Sequence, residues 1–454
     1  MNHSITLVAS ATVAVTLVMA LIFVPSSGIA TMIQGQQPTS SQLSTAVGYS
    51  HDHSLSIDNL NLQMGSTFAA ISPQQAYAEM SGGAHVVKMN LVAIEKTIAM
   101  PSGISGADGC SDSAAETTSC LPTQVIAYTF NGTIPAPTIR AQQGDIIAAR
   151  ITDPTSNGDP HGIDNHASIV SAANFLPTPP GTSKTYFFVA TRPGVFEYHC
   201  EGNVNDLAEH VFRGMHGMVI VDPKDGYSGY TLPTNSTGKL VEEHVSPLAK
   251  EVKLDFSEYY LANDPNGDFD WKKMYEHNAT YSYINGIPFG YQSLSLNPET
   301  GNLPTPTNAM PLHFQVGDHV RFFVLNSGDL PNNFHIVGGM LDRVMQGGME
   351  EDGVQTFNIG GSNSAIIDVK FDNPGLYVAL NHDYSQLFKG QFAVIMVDNN
   401  STTPNPSNAV PPMGAQSISQ PTAMYSFGTP LVWNGHSNLT GTVQSPTGSV
   451  DTTN

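Results

Sequence analysis

Apolar residues are distributed unevenly along this chain. From Ile5 to Val24 they run without a charged side chain, and as a helix that run reaches roughly 30 Å, the thickness of a bilayer's hydrocarbon layer. The pattern predicts a signal peptide or membrane anchor over residues 1–30, with Gly28-Ile29-Ala30 as a small-residue cleavage site. Either role puts the rest of the chain outside the cytoplasm. Residues 31–83 contain no Lys or Arg and are rich in Ser, Gln and Thr, which reads as a polar linker, with His51-Asp52-His53 solvated within it. Residues 399–454 form a similar polar C-terminal tail. Between these tails, short apolar runs such as YFFVA and RFFVL alternate with turn residues, the signature of Greek-key β-sandwiches or barrels.

The central region also repeats itself weakly. Asn131-Gly132 followed by Gly144-Asp145 returns as Asn285-Gly286 followed by Gly317-Asp318. The stretch from Thr185 through Pro193-Gly194 to His199 returns as Ala365 through Pro374-Gly375 to His382, each followed by an apolar strand, GMVIV or FAVIMV. Two tandem copies of one β-domain, 84–225 and 226–398, account for this. On that alignment His382 is the counterpart of His199, and Asp383 stands where the first copy has Cys200.

Composition narrows the function classes. With 17 Lys+Arg against 38 Asp+Glu the formal net charge is -21, which excludes binding by neutralisation of phosphates and so removes nucleic acid as a partner. Only 12% of residues are charged while Gly (41) and Pro (31) are plentiful, favouring strands and turns over charge-laced helices. Three cysteines make no disulfide framework. Cys110 and Cys120 flank a small polar loop that a disulfide could close, the alternative being two free loop thiols, and Cys200 stands apart from both.

Cys200, His210 and Met215 follow one another closely, with His161 upstream. One thiolate, two imidazoles and a thioether form the soft donor set of a blue-copper electron-transfer centre, with Met215 as the weak axial ligand. Adjacent strand residues point to opposite faces, so His199 faces away from the Cys200 pocket and serves a second site. The same parity in HGIDNH puts Asp164 and His166 on one face, opposite His161. An open metal site usually takes three protein ligands, so the second domain must supply one more, and the repeat nominates His382. The exposed-looking run Glu350-Glu351-Asp352 reads as a solvated loop.

FNGTIPAPTIRAQQGD, HGIDNHA, YHC with His210 and Met215, FHIVGG and YVALNHD resemble, in order, the motifs of the copper-containing nitrite reductases, over roughly Ala84 to Asp398. The resemblance implies an all-β fold of two tandem cupredoxin domains with one type 1 and one type 2 copper per subunit. It implies His161, Cys200, His210 and Met215 as type 1 ligands, and His166, His199 and His382 as type 2 ligands. Asp164 and His335 resemble the catalytic pair, and Val337 the apolar residue that shapes the nitrite pocket. A homotrimer that shares each type 2 site between subunits is implied as well, with a blue copper protein or cytochrome c as electron donor. Met340 departs from the pattern, standing where many members have a second His.

Three other functions compete. A two-domain laccase-like oxidase needs repeated His-X-His pairs and a His on both sides of the ligand Cys, whereas here Glu201 follows Cys200. A non-catalytic blue-copper carrier leaves Asp164, His335 and His382 without roles. Oxidation of hydroxylamine or another small nitrogen compound at the same second site remains compatible with every residue named.

Overall fold

The computed structural model describes residues 85–101, 122–169, 175–202, 205–236, 239–263, 266–292 and 309–399. The N-terminal apolar run, the linker with His51-Asp52-His53, Cys110, Cys120 and residues 400–454 lie outside the described residues. Among those described, no helix is long and apolar enough to cross a membrane.

The first half contains strands β1 (Val86–Ala99), β2 (Gln124–Phe130), β3 (Ala136–Gln142), β4 (Ile146–Asp153), β5 (Asp164–Asn165), β6 (Thr182–Val189), β7 (Gly194–His199) and β8 (His216–Asp222), with helix α1 (Leu207–Phe212) before the last. They form two four-stranded sheets, ordered β2-β1-β4-β6 and β3-β8-β7-β5. A hairpin of β9 (Tyr230–Ser236) and β10 (Lys239–Val245) follows and, among the described residues, pairs only with itself.

The second half contains β11 (Lys250–Tyr259), helix α2 (Trp271–Tyr275), β12 (Tyr281–Ile284), β13 (Leu312–Gln315), β14 (His319–Asn326), β15 (Asn332–Val337), β16 (Leu341–Gln346), β17 (Met349–Val354), β18 (Thr356–Ile359), β19 (Asn363–Lys370), β20 (Gly375–Asn381), helix α3 (Tyr384–Leu387) and β21 (Phe392–Asp398). Its sheets run β12-β11-β14-β19-β16-β17 and β13-β21-β20-β15-β18. Take away β16, β17 and β18 and the pairing of the first half is reproduced strand for strand. Glu350, Glu351 and Asp352 are exposed as expected, but they lie in β17 rather than in a loop, because that strand pairs with β16 at the sheet edge.

The repeated dipeptides do the same work in both halves. Asn131-Gly132 and Asn285-Gly286 have positive φ at both residues, the geometry that lets a two-residue turn match the strand twist. Asn131 Oδ1 accepts from the Val92 N–H on β1, and Asn285 Oδ1 accepts from the Asp255 N–H on β11. Asp145 and Asp318 each accept from a backbone N–H three residues back, at Gln142 and Gln315.

The core of the second sandwich joins Leu254, Phe322 and Val324 of one sheet to Phe314, Ala379 and Ile395 of the other. Strand β14 is buried along its whole length because its other face is covered too. Phe323 and Leu325 there pack with Ile366 of β19 against Val195, Met218 and Ile220 of the first half. That apolar contact ties the two sandwiches through β7, the strand that ends at His199.

Candidate metal centres

Strand β7 delivers His199 at its last position and Cys200 immediately after it. The Cys200 Sγ is buried 3.5 Å from His161 Nδ1 and 3.4 Å from His210 Nδ1, and the three donor atoms all lie within 4.8 Å of one another. His210 reaches the group from α1, whose last turn is buried. Met215 is buried at the mouth of β8, its N–H donating to the His210 carbonyl and its own carbonyl accepting from the Cys200 N–H.

Two backbone N–H groups, of Gly162 and Gly202, point at the Cys200 sulfur from 3.4 and 3.2 Å. Both positions require glycine. Gly202 has φ +48° and a Cβ there would meet the His210 ring at 3.0 Å, while a Cβ on Gly162 would lie 2.9 Å from the Phe175 carbonyl oxygen. Burial would raise the thiol's pKa, but the charge of His210 and hydrogen bonds to His161 and His210 bring it down to about 5. A thiolate is the form that ligates metal.

His161 is held from its far side. Its Nε2–H donates to Glu95 Oε1 at 3.1 Å, and the same carboxylate accepts from the N–H groups of Gly158 and Asp159. Burial opposes the charge on both groups. The His161 hydrogen bond and those backbone donors nonetheless lower Glu95 to about 2, and the bonds to Cys200 and Glu95 raise His161 to about 10. Tyr128 lies edge-on to both imidazoles, with ring centroids 5.5 Å from His161 and 4.9 Å from His210, and its hydroxyl donates to Asp159.

On the opposite face of β7 a second group assembles. His166 Nε2 lies 3.2 Å from His199 Nε2, and Asp164 Oδ2 lies 3.6 and 3.9 Å from those two atoms. Two nitrogens bound to one metal at about 2 Å stand roughly this far apart. His199 Nδ1 is 3.0 Å from the Cys200 carbonyl oxygen; donating there leaves Nε2 free to ligate. Burial opposes the charge on His166, but the bond to Asp164 raises its pKa.

His382 and His335 lie together elsewhere, on the second sandwich, with ring centroids 5.3 Å apart. His335 Nδ1 donates to the Gln355 carbonyl at 2.7 Å. Val337 is exposed on the same strand. His382 is therefore absent from the Asp164, His166 and His199 group of the described residues.

The alignment that made His382 the counterpart of His199 is corrected by strand register. Gly194 pairs with Val221 and His199 with His216, while Gly375 pairs with Val397 and Leu380 with Phe392. Leu380 thus takes the place of His199, and His382 lies two residues beyond. The cause is unequal spacing after the Pro-Gly pair, which sequence similarity alone does not resolve.

The same register exposes residues that sequence reading missed. Asn381 occupies the place of Cys200, Gln386 that of His210, Gln391 that of Met215 and Asn332 that of His161. Asn381 N donates to the Gln391 carbonyl and Gln391 N to the Gln386 carbonyl, as Cys200 and Met215 do in the first half. Four amides fill the four ligand positions. Asn381 Nδ2 donates to Gln391 Oε1 at 2.9 Å, while Asn332 is buried with neither side-chain polar atom partnered among the described residues. Glu95 was missed as well, although LVAIE and LDFSE put it in step with Glu258 and were the signal available.

Soft donors on one face of a strand and imidazoles on the other are two different donor sets suited to copper, carried here on a two-domain fold of the cupredoxin kind. A family model described as Multicopper oxidase matches residues 113–226. The copper-containing nitrite reductase of Neisseria gonorrhoeae is 27% identical over 324 residues, 69% of this chain and 68% of that one. That of Pseudomonas chlororaphis is 28% identical, covering 61% and 74%. Among solved structures, a copper nitrite reductase from Nitrosomonas europaea shares the fold with a TM-score of 0.56 at 24% identity, over 71% of this chain and 97% of that one. The chain is thus similar in sequence to copper-containing nitrite reductases, as its motifs suggested.

Proposed function

We propose that the protein reduces nitrite to nitric oxide and water, with His161, Cys200, His210 and Met215 holding a type 1 copper and His166 and His199 holding part of a type 2 copper site. The adjacency of Cys200 and His199 carries this reading, since it links two chemically different donor sets through one peptide unit and the His199 Nδ1 hydrogen bond to the Cys200 carbonyl. A copper held by His161, Cys200, His210 and Met215 would supply one-electron redox chemistry, and one held in part by His166 and His199 would supply a Lewis acid for nitrite.

The remaining chemistry belongs to the chain. One-electron reduction of nitrite consumes two protons. Asp164, beside both His166 and His199, is positioned to hold one at a substrate oxygen. His335 is the second candidate, with Nδ1 engaged by the Gln355 carbonyl and Nε2 left to face substrate. Val337 supplies an apolar wall.

Completing the type 2 site calls for His382 of a neighbouring subunit in a homotrimer, which also brings His335 and Val337 to Asp164. Their separation from the Asp164 group within one chain supports this arrangement. The electron donor is a small blue copper protein or cytochrome c, and the enzyme works outside the cytoplasm, anchored or released according to the fate of residues 1–30. Turnover of the copper-loaded protein with nitrite, hydroxylamine and oxygen in parallel tests the reading. Nitric oxide formed from nitrite is the expected result, and activity on hydroxylamine or oxygen alone would replace it.

A further inference from the structure

We propose that Glu95 is a positioning residue for the first centre: its carboxylate fixes the His161 ring with Nδ1 toward Cys200 and its charge favours oxidised over reduced metal there. This rests on reading that centre as type 1 copper.

The geometry is that of a metal-ligating imidazole whose other nitrogen is held by a carboxylate, an arrangement that sets ring orientation and raises ligand basicity. Glu95 Oε1 takes the His161 Nε2–H at 3.1 Å, and the carboxylate is itself anchored by the N–H groups of Gly158 and Asp159 at 3.0 and 2.9 Å. Three donors converge on one anion that is mostly shielded from solvent. A negative charge held this close to a ligand stabilises a doubly charged metal more than a singly charged one.

The second half of the molecule separates this role from a merely structural one. Glu258 stands in the Glu95 position, three residues beyond the one whose N–H is capped by the turn Asn, Asp255 there and Val92 in the first half. Glu258 Oε2 accepts from the Asp329 N–H at 2.9 Å, the counterpart of the Gly158 bond. The backbone-anchoring task is therefore common to both halves. Only the first half adds an imidazole; its counterpart Asn332 makes no hydrogen bond with Glu258. Nature has thus supplied the control variant inside the same chain.

The test is a redox titration of the visible band in the copper-loaded full chain, comparing wild type with Glu95→Gln, Glu95→Asp and Glu258→Gln. Gln keeps the acceptor oxygen for the two backbone donors and removes the charge. Glu95→Gln should keep the band and shift the preference toward reduced copper about tenfold, a rise of ~59 mV for one electron. Glu95→Asp, which retains the charge, should recover most of the difference. Glu258→Gln should leave the potential where it is. An unchanged potential in Glu95→Gln, or an equal shift in Glu258→Gln, overturns the proposal.

Should Glu95→Gln fail to fold, the reduced wild-type protein still decides. Its diamagnetic spectrum should show a slowly exchanging His161 Nε2–H, and a fast-exchanging one overturns the proposal. A wild type with no thiolate-to-copper band would instead sink the copper reading itself, and this proposal with it.

Discussion

Asp164 and His335 occupy the same position in two copies of one sheet. Asp164 pairs with His199 across β5 and β7, and His335 pairs with Leu380 across β15 and β20, where Leu380 is the register equivalent of His199. The repeat therefore offers the same sheet position twice, once with a carboxylate and once with an imidazole. His166 and Val337 are matched in the same way two residues further on, His166 just past the end of β5 and Val337 at the last position of β15.

From that pairing, Asp164→Asn and His335→Ala should each lower nitrite turnover by roughly 10² to 10⁴, the usual worth of a positioned acid or base. Both variants should keep their copper. Metal content measured beside activity separates the outcomes: full copper with near-normal turnover removes the residue from the reaction, and lost second-site copper makes its role structural.

Cys200→Ser should abolish the visible absorption of the copper-loaded protein, because the coloured transition needs a thiolate. The His166 and His199 group should still bind metal. A spectrum that survives the substitution would move the first site elsewhere.

His382→Ala should preserve the colour and empty the second site, since every donor of the first lies in the first sandwich. Light scattering adds a second check. A fully active monomer refutes the sharing of this site between subunits.

Asp368 predicts a stability effect far from either centre. It is buried, bonded to both Arg321 and Arg343, with His319 close by. Burial works against its charge, but His319 and Arg321 hold its carboxyl well below the usual range. With the folded pKa under the unfolded one, its contribution is complete above about pH 4 and is lost as the pH falls further. Asp368→Asn should cost about 3–5 kcal/mol by stranding two guanidinium groups, and should flatten the acid limb of stability measured by denaturant unfolding.

Much of this architecture was legible from local chemistry. Turn dipeptides with a fixed backbone preference mark the repeat, and strand parity alone separates Cys200 from His199. Register between distant strands was not legible. That is why His382 was aligned with His199, and why the amides at 332, 381, 386 and 391 looked like ordinary polar residues. Glu95 was hidden for a related reason: a carboxylate in an apolar strand gains its meaning only when the 158–161 loop closes over it.

The amide quartet of the second sandwich also bears on where an electron could rest under the proposed function. Asn and Gln donors are redox-inert and lack the softness that retains Cu(I), so that pocket offers no resting place for an electron. A thiolate centre there would be a competing sink on the far side of the apolar seam formed by Val195, Phe323 and Ile366. Under the proposed function, the chain would hold one electron in reserve, with one outlet through the end of β7.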